Sequence, residues 1–142
     1  MRMGKNLLRG AMAGLAAISM AGCASADHQS SPKAVATAYM RDVLHDKAIS
    51  AVELTYAYAV ATPKDQAELR YDADLREKQV THKVAQELSK EGGVAKTTVD
   101  QVETKGTHTT VAMSITTGNG KVSKVIVFTN RYHGKWYCDY IL

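Results

Sequence analysis

Cysteine is scarce in this 142-residue chain: two in all, Cys23 and Cys138, with no C-x-x-C spacing to argue for thiol redox chemistry. The five histidines, His28, His45, His82, His108 and His133, are scattered, without a His-x₃-His pair or a cysteine at zinc spacing. Asp72-Ala73-Asp74 has no calcium-loop context around it. There is no Gly-x-Ser-x-Gly elbow, no phosphate-cradling glycine loop and no dinucleotide fingerprint, so three large enzyme classes lose their usual signatures. No metal and no cofactor is expected. Internal repeats and low-complexity segments are missing as well, as is any apolar run near the roughly 20 residues a spanning helix needs.

What is present begins at the N-terminus. Arg2, Lys5 and Arg9 precede an uncharged stretch of eleven residues, 11–21, that ends in Met20-Ala21-Gly22-Cys23. A basic lead, a short apolar core and small residues at the end have the tripartite form of a secretory signal. The stretch resembles a bacterial lipoprotein signal, with Met20 where leucine is usual. The resemblance implies cleavage before Cys23 and acylation of that residue, which would anchor the chain to a lipid bilayer. Two or three acyl chains make such an anchor effectively permanent, since each buried CH₂ adds about 0.8 kcal/mol. A second site competes: Ala24-Ser25-Ala26 has the A-x-A form, and cleavage there would discard Cys23 and free a soluble domain. The position of Cys23 directly after the apolar run favours the lipid anchor. Ala24 after the cysteine, by resemblance to enterobacterial sorting, implies the outer membrane facing the periplasm.

The formal charge of +4 belongs partly to this leader. Three of the 18 basic residues lie in residues 1–22, which leaves 15 against 14 acidic ones in 23–142. A near-neutral sum gives no reason to expect nucleic acid, or anionic lipid, as a partner. With Cys23 acylated, Cys138 is the sole free thiol, read here as a small buried hydrophobe on a strand.

The pattern divides into a signal (1–22), an acylated cysteine with a short polar tether (23–31) and one domain (32–142). Ser31-Pro32 caps and starts a first helix, with Val35, Ala36, Tyr39, Met40, Val43 and Leu44 on its apolar side and Arg41, Asp42 and His45 opposite. Asp46 can cap a second helix over roughly residues 47–61, stopped by Thr62-Pro63. Residues 63–91 read as a charged, solvated helix, broken near Tyr71-Asp72, and Gly92-Gly93 ends the helical half. A weak strand at 95–104 follows. Val111, Met113 and Ile115 then alternate with polar or small residues as in a half-buried strand. Gly118-Asn119-Gly120 makes a hairpin turn, Val125 to Phe128 is apolar on both faces like a central strand, and residues 136–142 form the last strand. Helices followed by an antiparallel meander predict an α+β fold.

Three short motifs, Ser31-Pro32-Lys33-Ala34-Val35-Ala36, Asp46-Lys47-Ala48 and Gly134-Lys135-Trp136, resemble those of small bacterial lipoproteins of the nuclear transport factor two-like, ketosteroid isomerase-like cone fold. The resemblance implies N-terminal helices packed on a curved antiparallel sheet of about four strands. It implies no single activity, because this fold hosts enzymes, binding modules and scaffolds alike. A catalytic site would need a carboxylate or histidine facing an apolar cavity. Asp100, Glu103, His108 and Asp139 are the strand residues available, and His108 shares the more polar face of its strand with Thr110, Ala112 and Ser114. Tyr39, Tyr56 and Tyr58, on the first two helices, are candidates to line a pocket for a small amphipathic ligand, or else simply fill the core. Tyr132, Tyr137 and Tyr140 are accounted for by cross-strand packing.

The expected protein is therefore a membrane-anchored lipoprotein that binds or scaffolds in the cell envelope without catalysis. An envelope protein or a small amphipathic ligand is the expected partner. Two alternatives stand beside it: an isomerase- or dehydratase-like enzyme using the cone cavity, and a protein–protein interaction or inhibitor subunit. An enclosed cavity with one inward carboxylate or histidine favours the enzyme; an exposed apolar patch on the sheet favours the interaction protein.

Overall fold

The computed structural model describes residues 27–141, without the side chains of Asp27 and Tyr140. The signal, Cys23 and residues 24–26 lie outside the described residues. Five α-helices precede four strands: α1 (Pro32–Leu44), α2 (Ala48–Glu53), α3 (Tyr56–Val60), α4 (Pro63–Asp72), a π-helical segment (Ala73–Glu77), α5 (Lys78–Lys90), then β1 (Val94–Lys105), β2 (His108–Thr117), β3 (Val122–Tyr132) and β4 (Lys135–Ile141). The strands pair in sequence order, each antiparallel to the next. This is the expected α+β layout of helices on an antiparallel sheet.

α1 starts where its sequence says it should. Ser31 accepts a hydrogen bond from the Ala34 amide at 3.1 Å, and Pro32 occupies the first turn, where its missing N–H costs nothing. The helix lies across all four strands. Val35, Ala36, Met40 and Leu44 pack with Val111, Met113, Ile115, Val127 and Cys138, and α5 closes this core with Val84 and Leu88. Full burial of side chains such as Met113 and Val127 contributes about 1.5–3 kcal/mol each. Asp42, expected on the solvent side of α1, is buried, and Arg41 donates to its Oδ1 at 3.4 Å.

Three local features differ from the expectation, and a fourth falls where the sequence points. The helix expected over 47–61 breaks in two at Leu54-Thr55. Thr55 caps α3 through its own hydroxyl, and the Leu54 carbonyl accepts a 2.8 Å hydrogen bond from the Cys138 amide on β4. Asp46 does not cap α2. It adopts φ 59°, and its carboxylate reaches α5 instead, accepting from Thr81 Oγ1 at 2.7 Å and meeting His82 Nδ1 at 3.1 Å. Those hydrogen bonds hold the Asp46 carboxyl below its usual range, so the stabilisation they bring is present above the unfolded carboxylate value and fades as pH falls through the lower, folded one. The π-helical turn falls just after Tyr71-Asp72, where the sequence shows a weak point. Finally, the end of the polar tether is ordered: Asp27–Gln29 form a 3-10 turn packed on α1 and β4.

The turns use glycine where space or backbone sign demands it. Gly92 and Gly93 have φ 91° and 75°. A Cβ on Gly118 would collide with the Gly92 carbonyl oxygen, so the α5–β1 connection and the β2–β3 hairpin can touch only without side chains.

Candidate functional site

The sheet has one face under the helices and one face bare, and each carries a possible site. On the helix side, α1, α2, α5 and the end of β4 leave a cleft of about 230 Å³. Tyr39, Val52, Thr55, Thr81 and Ile141 line it, and Glu77 stands at its rim on the π-helical turn. Burial, with Cys138 and Glu77 nearby, pushes the Tyr39 phenol up to about 12. Burial, with Asp72 beside it, also raises the Glu77 carboxyl above its usual range. Glu77 was missed in the sequence because it lies within a dense run of charges; the helix break beside it is the one local signal. A phenol and a carboxyl at one cleft can donate and accept hydrogen bonds to a small molecule. The volume is small, however, since pockets for drug-sized ligands span about 300–1,000 Å³.

On the bare face, a groove of about 480 Å³ is lined by Glu103, His108, Thr110, Ile126, Phe128 and Asp139, with Lys105 at its edge. The strand register sets these side chains on one face: Glu103 is opposite Thr110, Thr110 opposite Phe128, and Ala112 opposite Ile126. Ile126 keeps 41% of its surface exposed and Val122 55%, whereas Val127, of the opposite parity, is fully buried. Beside the groove, Ser114 donates to the Asp100 carboxylate across the β-bulge at Asp100. The groove thus joins an apolar floor to a mixed acidic and basic rim.

The candidate residues of the sequence do not form one pocket. Tyr39 lines the inner cleft. Tyr56 instead meets Tyr132 edge-on, with ring centres 5.9 Å apart, and Tyr58 lies beneath the Arg70 guanidinium at 5.4 Å. The break at Thr55 separates these two from Tyr39. His108 is on the bare face, exposed, across the sheet from the tyrosines. Cys138 is buried on the inner face, its thiol pushed up to about 12 by burial and by Asp139, which makes it an inert packing group. Among the described residues, no three His, Cys, Asp or Glu side chains gather as a metal would require, and no helix is long and apolar enough to cross a membrane.

Comparison with solved structures fits this architecture. The chain superposes on a Campylobacter jejuni protein called, by similarity alone, an NTF2-like transpeptidase, with a TM-score of 0.64 over 78% of this chain and 99% of that one, at 14% identity. The fold is NTF2-like. A SEC-C motif-containing protein from Rhodopseudomonas palustris matches more loosely, with a TM-score of 0.50 at 19% identity over 85% of this chain and 86% of that one. No family model matches the chain, and no curated protein sequence does. At these identities the likeness carries the NTF2-like fold and leaves the site to be argued from the chain's own residues.

Proposed function

We propose that this protein is an exported lipoprotein, anchored by acyl chains on Cys23, whose NTF2-like domain is a non-catalytic binding module for a protein of the cell envelope. The bare sheet face carries the binding half of this reading. Its groove, of about 480 Å³, is floored by exposed Ile126 and half-buried Phe128, while the helix-side cleft holds less than half that volume. Apolar residues left in water at the centre of a sheet call for a cover. The signal-like residues 1–22, followed by Cys23, support the anchoring half, and the outer membrane, facing the periplasm, is the expected place.

A photo-crosslinking residue at position 126, introduced into the full chain in its native envelope, tests the binding half. A discrete adduct at 126, with none from the same residue at helix position Ile49, is the expected result; no adduct at 126 overturns it. For the anchor, Cys23→Ser should abolish membrane retention and leave the domain folded. A folded variant that still partitions with membranes overturns the anchor.

The second reading is a small isomerase- or dehydratase-like enzyme. Glu77 and Tyr39 at one cleft are the observation that favours it. Thermal unfolding against small polar-apolar compounds tests it: stabilisation that Glu77→Gln and Tyr39→Phe both remove would move the site to the helix side.

A further inference from the structure

We propose that the end of the domain from which the tether leaves is a membrane-contact surface, seating Lys33, Arg131, Lys135 and the indole of Trp136 on anionic lipid headgroups. This rests on the lipid-anchor reading above.

The geometry begins with the direction of the chain. α1 and β4 run side by side in the same sense: Cys138 Sγ meets the Val35 carbonyl at 3.8 Å, and further along both elements Tyr39 and Ile141 line the same cleft. The chain before Pro32 therefore departs where β4 begins, beside the hairpin His133-Gly134, and the 3-10 turn Asp27–Gln29 packs on β4. The β1–β2 hairpin comes to the same end, because Lys105 pairs with His108 and His108 with Asn130. A groove of about 540 Å³ lies between the two hairpins, lined by Thr104, Thr107, Arg131, His133 and Trp136 without a carboxylate.

Some cations elsewhere are neutralised, as in Arg70–Glu53, Lys78–Asp74 and Lys121–Glu91, and others, such as Lys64, Lys96 and Lys124, stand alone among the described residues; what distinguishes this end is that three lone cations gather around one groove and one tryptophan. Among the described residues, no carboxylate lies within ion-pair distance of Lys33, Arg131 or Lys135. Lys105 has a partner in Glu103 at 3.3 Å. Asp27 and Asp139 are the other acids of these segments, and His28 and His133 add protonatable groups. The four cations Lys33, Lys105, Arg131 and Lys135 stand against three acids, Asp27, Glu103 and Asp139, so the net charge of this end is only slightly positive and the pull on lipid rests on the unpaired cations at the groove. Half-buried Trp136, at the rim, has the mixed character that favours a water–lipid boundary.

Tether length brings this surface to the bilayer. Cys23 to Asp27 is four residues, at most about 14 Å of extended chain. That reach lets the surface come down to the headgroups, and its cations act only in close approach, within about one Debye length, about 8 Å in physiological salt. Each Lys or Arg near an anionic surface is worth about fivefold in partitioning, so three give about a hundredfold preference for this orientation.

The single tryptophan makes the test direct. The acylated full chain is reconstituted into vesicles of phosphatidylcholine, alone or mixed with phosphatidylglycerol, each with brominated acyl chains, and sedimentation and Trp136 fluorescence are both read. The expected result is sedimentation with both vesicles and quenching of Trp136 only in the anionic ones. High salt, or the double variant Arg131→Glu with Lys135→Glu, should remove most of the quenching without releasing the protein. Lys124→Glu, on β3 away from the two hairpins, should quench like the parent. Sedimentation without quenching in anionic vesicles overturns the docking and leaves the anchor standing. Failure to sediment with neutral vesicles overturns the anchor and the proposal with it. If the double variant unfolds, the salt arm decides.

Discussion

Val127 and Ile126 are neighbours on one strand, alike in shape and hydrophobicity, yet Val127 is fully buried and Ile126 is 41% exposed. The same contrast runs through β2, where Thr109, Val111, Met113, Ile115 and Thr117 are buried and the residues between them face outward, half-buried. One face of the sheet is a core and the other is a surface that has kept part of a core's composition. An interior place in the hydrogen-bonded ladder does not imply cover on both faces. Residues whose hydrophobicity exceeds what the fold uses are the ones to examine for function.

The largest effect expected across this contrast is at the centre of the inner face. Met113→Ala should cost about 3 kcal/mol, the scale of a methionine truncated in a closed core, measured by denaturant unfolding of the full chain. Trp136→Ala should cost less, about 2 kcal/mol, because the indole packs against the core but is half-buried; the sequence alone, placing it wholly in the core, suggests about 3–5 kcal/mol. Ile126→Ala, the outward counterpart, should change stability by no more than about 0.5 kcal/mol. A loss like that of Met113 would mean that the bare face is covered in solution.

Thiol chemistry sharpens the comparison without removing any packing. In a Cys23→Ser background, Cys138 should resist a thiol reagent at about pH 8 until the protein unfolds. With its thiol pushed up to about 12, only about one molecule in ten thousand carries thiolate there. Adding Ile126→Cys should introduce a second thiol that reacts at once. Rapid labelling of Cys138 in the folded protein would show that the β4 side of the core opens readily.

Much of this fold was legible. Ser31-Pro32 and Thr62-Pro63 mark helix starts because cap and proline act within one turn, and both hydroxyls do accept from the amide three residues on. The alternation at Val111, Met113 and Ile115 gave the inner face because side-chain direction in a strand is fixed by parity. The break at Leu54-Thr55 is not legible, since the group that takes up the Leu54 carbonyl, the Cys138 amide, is 84 residues away in sequence. Missing it merged three tyrosines into one pocket that the structure divides. The second destination of Asp46 was hidden for the same reason: Thr81 and His82 come to it only through the packing of α5. His108 was placed on the polar face of β2 correctly, but whether that face looks into a cavity or out to water depends on which side the helices take.

That same link between Leu54 and Cys138 has a consequence for self-association. A sheet normally exposes two edges, each able to template another chain. Here β4 donates its Cys138 amide to Leu54, which occupies that edge at one point, while β1, long and exposed over 100–105, is the more open border. Two copies that met β1 to β1 across a twofold axis would each cover the other's more open border. Further edge-to-edge growth would then have to begin at β4, where the bond to Leu54 already stands in the way.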